Sequence, residues 1–329
     1  MLTKFLFEGL PVRGMVVRLT DAWREVLRRR QTVGEHPVEL RALLGEMTAA
    51  GVLMQANIKF NGALVLQVFG DGPVKLAVVE VQPELSFRAT AKVVGEVPPG
   101  AQLEAMLNVH GQGRCAITLD PKDKLPGQQP YQGVVPLFDT THGDQREPHQ
   151  QVQQVLEHYM LQSEQLDTRL VLAANDEVAA GLLIQRMPVQ GEGNLAGGTG
   201  GAGTALRRNE DDIGLSEAFN RIAMLAATLT REELLTLPSE QILHRLFWEE
   251  TLRVFEPATP CFACTCSRER VRNMLRGLGR EESDSLIAER GEVEVGCEFC
   301  GLQYRFDAVD VGEMFTPGRD QPPVVSGVQ

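Results

Sequence analysis

The chain has 329 residues, of which 43% are hydrophobic and 23% are charged, and its formal net charge is -12. This length allows two or three domains with a sizeable core, whereas the acidic balance disfavours binding to nucleic acid or to anionic lipid. No apolar run is long enough for a transmembrane helix, and charged residues interrupt the N-terminus where a signal peptide would be apolar. We therefore expect a cytoplasmic protein with no nucleic-acid partner and no membrane partner.

The first part of the chain, residues 1–188, is predicted to be a mixed α/β core domain. A helix is predicted from Pro37 to about Gln55, because proline suits a first turn and leucines recur at helical spacing. Asn61-Gly62 lies between two apolar runs and predicts a β-hairpin turn. Further strands are predicted at 74–81, 85–94, 114–119, 131–137, 168–173 and 178–187, and a second helix at 149–162.

The composition changes after this domain. Residues 189–204 contain seven glycines and predict a flexible tether. Residues 205–260 predict a helical linker region, in which Ser216 and Thr230 each begin a helix as N-caps. A third helix is predicted to begin at Ser239 and to carry Phe255 on or near its apolar face. Three other large side chains on these faces are Phe219, Ile222 and Phe247.

Five of the six cysteines lie close together near the C-terminus, in residues 261–315. Cys264-Thr-Cys266 and Cys297-Glu-Phe-Cys300 have the paired spacing of a tetrahedral zinc site with four thiolate ligands. Cys261 also makes a C-x-x-C pair with Cys264, so spacing alone does not choose between Cys261 and Cys266 as a ligand. The sequence therefore predicts a small zinc-binding domain at 261–315 and a site without an open position for a substrate.

The same cysteines also suggest redox chemistry. Zinc-bound cysteines are thiolates, and oxidants attack thiolates. Two local disulfides would release the metal and destabilise a small domain that folds around it. The sixth cysteine, Cys115, lies in an apolar strand-like run and is predicted to be buried.

These motifs resemble those of the heat shock protein 33 family. The resemblance is carried by Cys264-Thr-Cys266-Ser-Arg-Glu-Arg270 and by Cys297-x-x-Cys300-Gly301. It extends upstream to Ser163-Glu-Gln-Leu-Asp-Thr-Arg169, Tyr131-Gln-Gly133 and Phe7-Glu-Gly with Val12-Arg-Gly14, and covers about residues 4–314.

The resemblance implies an α+β fold with an α/β core domain, a helical linker and a four-cysteine zinc domain. It implies a non-enzymatic, ATP-independent holdase of the oxidative stress response, inactive when reduced and holding one Zn2+ through Cys264, Cys266, Cys297 and Cys300. Oxidation would form the disulfides Cys264–Cys266 and Cys297–Cys300, release zinc and unfold the linker. The activated protein would form a homodimer and bind unfolding client proteins.

Several expectations accompany this interpretation. Phe219, Ile222 and Phe247 are candidate client-binding residues, because their helices are amphipathic and lie beside the switch in the chain. Cys261 is an extra thiol that could disturb disulfide pairing, and residues 316–329 are predicted to be a disordered tail. Two alternatives stay open: a constitutive zinc-ribbon binding module, and a thiol–disulfide oxidoreductase that uses Cys297-Glu-Phe-Cys300.

Overall fold

The computed structural model of this protein describes residues 1–124, 127–142, 145–187 and 216–316. The predicted tether 189–204, the start of the linker up to residue 215 and the tail from 317 lie outside the described residues. The chain divides into two compact units, Met1–Ala263 and Cys264–Gln329. The domain boundaries predicted from the sequence stay predictions.

The first unit contains most of the secondary structure, and all of its described strand pairs are antiparallel except β13 with β5. In chain order its elements are β1 (Leu2–Phe7), β2 (Val12–Leu19), α1 (Asp21–Gln31), α2 (Val38–Asn57), β3 (Gly62–Phe69), β4 (Val74–Val81), β5 (Ser86–Val93), α3 (Leu103–Leu107), β6 (Arg114–Pro121), β7 (Tyr131–Pro136), β8 (Phe138–His142), β9 (Gln145–Pro148), α4 (Val152–Glu164), β10 (Thr168–Ala174), β11 (Ala179–Arg186), α5 (Glu217–Ala227), α6 (Arg231–Thr236), α7 (Ser239–Phe247), β12 (Leu252–Val254) and β13 (Cys261–Phe262).

Two larger sheets form the framework of this unit. One has five strands in the order β10-β11-β2-β1-β12, and the other has six in the order β13-β5-β4-β3-β6-β7. Helix α2 contacts strands of both sheets and is buried along most of its length. A helix that is apolar around most of its circumference is expected at the centre of a core, and α2 is the element on which the main core is built.

A second core lies on the other face of the five-stranded sheet. Strand alternation sends Leu2 toward the main core, whereas Phe5 and Phe7 of the same strand point to the opposite face. Gly14 lies opposite Phe5 in β2, and any Cβ there would lie 2.2 Å from the Phe5 ring, so glycine permits this packing. Helices α5, α6 and α7 cover this face and complete the second core.

Local sequence signals place the covering helices. The Ser216 side chain accepts a hydrogen bond from the backbone N–H of Phe219, and Thr230 forms a reciprocal capping box with Glu233. Helix α7 ends at Phe247, and the chain then continues as β12 on the edge of β1. Phe255 therefore follows a strand and is exposed, which contradicts the prediction that a helix carries it.

The second unit is small. Its elements are α8 (Arg268–Leu278), α9 (Arg280–Arg290), β14 (Val293–Gly296), β15 (Gln303–Phe306) and α10 (Ala308–Met314). The two strands form an antiparallel hairpin. In the described part of this unit, up to residue 316, the hydrophobic core consists of six buried side chains, namely Leu275, Val293, Tyr304, Phe306, Val311 and Met314.

One predicted turn is wrong. Asn61-Gly62 joins α2 to β3, and β3 pairs with β4 and β6 rather than with residues 58–60. Those residues follow the helix directly and are too few to form the first strand of a hairpin. The predicted helix at 37–55 and the strands at 74–81, 114–119 and 131–137 are confirmed within two residues.

Candidate functional site

The cysteine pairs occupy two short segments of the second unit. Cys264 and Cys266 lie in the extended chain just before α8, whose N-cap is Ser267. Cys297 and Cys300 lie in the turn between β14 and β15, closed by a hydrogen bond from the Gly301 N–H to the Cys297 carbonyl at 2.8 Å. Gly301 has a φ of 70°, a left-handed conformation that glycine adopts without strain.

The fold brings these four thiols together. Their sulfur atoms all lie within 4.8 Å of one another. The Sγ atoms of Cys264 and Cys297 are 3.6 Å apart, and those of Cys266 and Cys300 are 3.4 Å apart. Four sulfurs at about 2.3 Å from a tetrahedral Zn2+ would be about 3.8 Å apart. The cluster therefore has the donor type, number and spacing of a closed tetrathiolate metal site.

The protonation of the cluster depends on burial and on mutual hydrogen bonds. Burial raises the pKa of the Cys297 and Cys300 thiols. Burial also opposes ionisation of Cys264, but hydrogen bonds from the Cys266 backbone and from neighbouring thiols outweigh it and lower the pKa of Cys264. A bound divalent cation would favour the thiolate form of all four ligands.

The C-x-x-C pair lacks the environment of an oxidoreductase cysteine. Such enzymes use a helix N-terminus to lower the pKa of the attacking thiol. Here Cys297 and Cys300 lie between two strands, and burial raises the pKa of Cys297. This geometry favours a metal-binding turn over a catalytic dithiol.

Two residues that pattern reasoning did not assign a role support the cluster. The Tyr304 hydroxyl donates a hydrogen bond to Cys266 Sγ at 3.2 Å. Arg268 places its guanidinium 4.2 Å from the centre of the Phe306 ring and donates to Asp310 at 2.8 Å and to the Arg305 carbonyl at 2.7 Å. Arg268 follows Cys266 by two residues, so these contacts fix the C-x-C segment against the hairpin.

The two remaining cysteines have different environments. Cys261 is exposed in β13, where it pairs with Ser86 of β5, and it is not part of the four-sulfur group. Cys115 is fully buried in β6, and burial raises the pKa of its thiol to about 12. A thiol with such a pKa is a poor nucleophile at neutral pH.

The candidate client-binding residues lie in the second core of the first unit. Phe219, Ile222 and Phe247 are all buried between the covering helices and the five-stranded sheet. The Phe247 ring is 5.0 Å from the Phe7 ring and 6.1 Å from the Phe5 ring, measured between centroids. In this conformation their surface is not accessible to another protein, and their role with clients stays a prediction.

No helix in the described part of the chain has both the length and the apolar character needed to span a membrane.

Comparison with known proteins agrees with this architecture. The family model described as "Hsp33 protein" matches residues 1–307. A "33 kDa chaperonin" of Chromobacterium violaceum is 46% identical over 314 residues, which cover 95% of this chain and 93% of that protein. A "33 kDa chaperonin" of Methylobacillus flagellatus is 41% identical over 325 residues, which cover 97% of each chain.

A solved structure has the same fold. The crystal structure of a 33 kDa chaperonin from Thermotoga maritima aligns with a TM-score of 0.69 at 20% identity, covering 95% of this chain and 97% of that chain. At this identity the structural likeness shows the fold alone, whereas the family match and the two relatives cover nearly the whole sequence. This chain therefore belongs to the Hsp33 family of chaperones.

Proposed function

We propose that this protein is a redox-regulated, ATP-independent holdase. It is inactive when reduced and bound to one Zn2+, and oxidation activates it to hold unfolding proteins and prevent their aggregation. The observation that carries this proposal is the group of four sulfurs within 4.8 Å, located in a unit whose hydrophobic core, over the residues described, has six buried side chains. So small a core depends on an additional crosslink for its stability.

The proposed switch uses Cys264, Cys266, Cys297 and Cys300 as metal ligands. When bound, Zn2+ supplies a tetrahedral crosslink between the C-x-C segment and the turn of the hairpin. Formation of each proposed disulfide, Cys264–Cys266 and Cys297–Cys300, transfers two electrons to a peroxide, which takes up two protons and leaves as two waters. The oxidised sulfurs are no longer thiolate ligands, so the unit loses its crosslink and unfolds.

The covering helices are the proposed second part of the switch. Arg18 on β2 donates to the carbonyls of Leu234 and Leu237 at 3.2 and 3.3 Å, which holds the end of α6 on the sheet. Arg231 at the start of α6 donates to the Ala174 carbonyl and to Glu46. Detachment of α5, α6 and α7 would break these contacts and expose an apolar sheet face.

The exposed surface would then bind clients. Phe5 and Phe7 on the sheet, together with Phe219, Ile222 and Phe247 on the helices, would supply apolar area that unfolding chains can cover. Two copies could also cover part of it mutually, which supports the proposed homodimer of the activated protein. We assign the protein to the cytoplasm because reduced thiols persist there.

The test is a paired measurement on the same samples. Zinc release is followed with a chromogenic chelator during addition of hydrogen peroxide, and suppression of thermal aggregation of a model client is assayed without ATP. We expect about one zinc to leave per chain while holdase activity rises. If zinc stays bound, or leaves without any gain of activity, the cluster is a constitutive structural module and the proposal fails. Reduction of insulin by the protein would favour the oxidoreductase alternative.

Tryptic peptides test the proposed pairing directly. Cleavage after Arg253 and Arg268 places Cys261, Cys264 and Cys266 in one peptide, and cleavage after Arg290 and Arg305 places Cys297 and Cys300 in another. Local disulfides leave the two peptides separate, whereas disulfides across the cluster join them. The Cys261→Ser variant removes the exposed extra thiol, so that the first peptide can contain only the proposed Cys264–Cys266 bond.

A further inference from the structure

Tyr304 links the core of the second unit to a cluster sulfur. Its side chain is only 8% exposed and packs in the same core as Phe306. It lies opposite Val295 in the hairpin, and its hydroxyl donates to Cys266 Sγ at 3.2 Å. The ring is fixed by packing, so the hydroxyl is held in position.

The hydrogen bond joins distant parts of the chain. Tyr304 is on β15, which follows the Cys297–Cys300 turn, whereas Cys266 is in the other pair, 38 residues earlier. Cys266 Sγ is also 3.4 Å from Cys300 Sγ. The phenol therefore connects the two segments that a bound metal would hold together.

A hydrogen bond of this kind changes the chemistry of the sulfur. An O–H that donates to a thiolate withdraws electron density from it and makes it a weaker nucleophile toward oxidants. Groups that hydrogen-bond to metal ligands also fix the orientation of those ligands and strengthen metal binding. Both effects favour the reduced, metal-bound state.

We propose that Tyr304 is a positioning residue that sets the oxidation threshold of the switch through its hydrogen bond to Cys266. This inference rests on the proposed function of the cysteine cluster.

The step that Tyr304 slows is the oxidation of Cys266 by a peroxide. The thiolate attacks one peroxide oxygen, the O–O bond breaks, and a sulfenic acid and one water are formed after protonation. The Cys264 thiolate then attacks the Cys266 sulfur and expels the second oxygen as water, forming the S–S bond. The two electrons lost by the sulfurs are those gained by the peroxide.

The test uses Tyr304→Phe, which removes the hydroxyl and keeps the ring. Under reducing conditions we expect zinc affinity, measured by competition with a chelator, to fall about 10- to 100-fold. Disulfide formation by hydrogen peroxide, followed by mass, should be faster than in the wild type. In the Co2+-loaded protein the sulfur-to-cobalt charge-transfer band should move to lower energy, because Cys266 becomes a more electron-rich donor.

Two control variants separate this effect from loosened packing. Tyr131→Phe removes an exposed hydroxyl that contacts Glu164 in the first unit and should change none of the readouts. Val311→Ala loosens the core of the second unit, in which Val311 is buried, but keeps the Tyr304 hydroxyl and the contacts of Arg268. We expect Val311→Ala to leave the cobalt band at the wild-type energy.

Two outcomes would overturn the inference. One is a Tyr304→Phe variant with wild-type zinc affinity and an unshifted cobalt band. The other is an equal band shift in Val311→Ala, which would assign the effect to packing. If wild-type protein gains no holdase activity on oxidation, the proposed function fails, and the affinity and spectrum still decide the role of Tyr304.

Discussion

Replacement of Phe247 by alanine should activate the protein without oxidation. Phe247 is 2% exposed and lies between Phe5 and Phe7 at the interface of α7 with the five-stranded sheet. Truncation leaves a cavity on one side of this interface and removes two aromatic contacts. The change weakens attachment of the covering helices and leaves all four cluster cysteines in place.

The magnitude follows from burial. A fully buried phenylalanine replaced by alanine costs about 3–5 kcal/mol. If that cost falls on the attachment of the helices, it raises the detached population by about 100-fold to about 4,000-fold, since about 1.4 kcal/mol corresponds to a factor of ten. A population with detached helices that is too small to detect in the wild type would then become measurable in the variant.

The assay compares Phe247→Ala with Trp248→Ala. Trp248 is the next residue, equally aromatic, but 69% exposed, so its truncation should leave the helices attached. Both variants are kept reduced and loaded with zinc, and client aggregation is measured alongside amide hydrogen exchange of residues 217–247. We expect faster exchange and holdase activity for Phe247→Ala alone, with zinc still bound.

Two results would refute this reasoning. Unchanged exchange in Phe247→Ala would show that the aromatic contacts do not stabilise the attached helices. Faster exchange without any suppression of aggregation would show that the uncovered sheet face does not bind clients.

Three further predictions concern the metal, the extra thiol and a buried carboxylate. Removal of zinc by a chelator under reducing conditions should unfold the second unit, visible as a loss of helical circular dichroism, because its core is small. Cys261→Ser should leave the zinc content at one per chain; loss of zinc would show that Cys261 is a ligand. Burial raises the pKa of Glu46 to about 7 despite its ion pair with Arg231, so the folded protein binds a proton that the unfolded chain releases near 4.5. The free energy of unfolding should therefore fall by about 3 kcal/mol as the pH rises from about 4.5 to about 7. Glu46→Gln should flatten this pH dependence in calorimetric melts.

The features that the sequence predicts best are local. Ser216 and Thr230 cap helices through hydrogen bonds to residues three positions away, so each signal lies within a few residues of sequence. The grouping of the cysteine pairs is equally local, because two thiols that are two or three positions apart in a turn can lie on the same side of a common centre.

The features that sequence reasoning missed depend on distant partners. The Tyr304–Cys266 bond spans 38 residues, and the contact between Arg268 and Phe306 spans the same two segments. No short-range periodicity in the sequence identifies two residues that are so far apart in the chain. The Asn61-Gly62 prediction is wrong because a turn signal does not specify which elements it joins, and here it joins a helix to a strand. The amphipathic helices predicted a buried face, but the pattern did not reveal that the face opposite them is a sheet containing Phe5 and Phe7.

The chain between α7 and Cys264 pairs with the rest of the first unit through two very short edge strands and an isolated bridge between Ala258 and Leu2. β12 pairs three residues with β1, and β13 pairs two residues with β5, each on one side only. Unfolding that starts at Cys264 and proceeds along the chain therefore meets these pairings in a fixed order: first β13, then the Ala258 bridge, then β12. Only a few paired residues therefore lie between the cysteines and the covering helices, and the helices come last in this order.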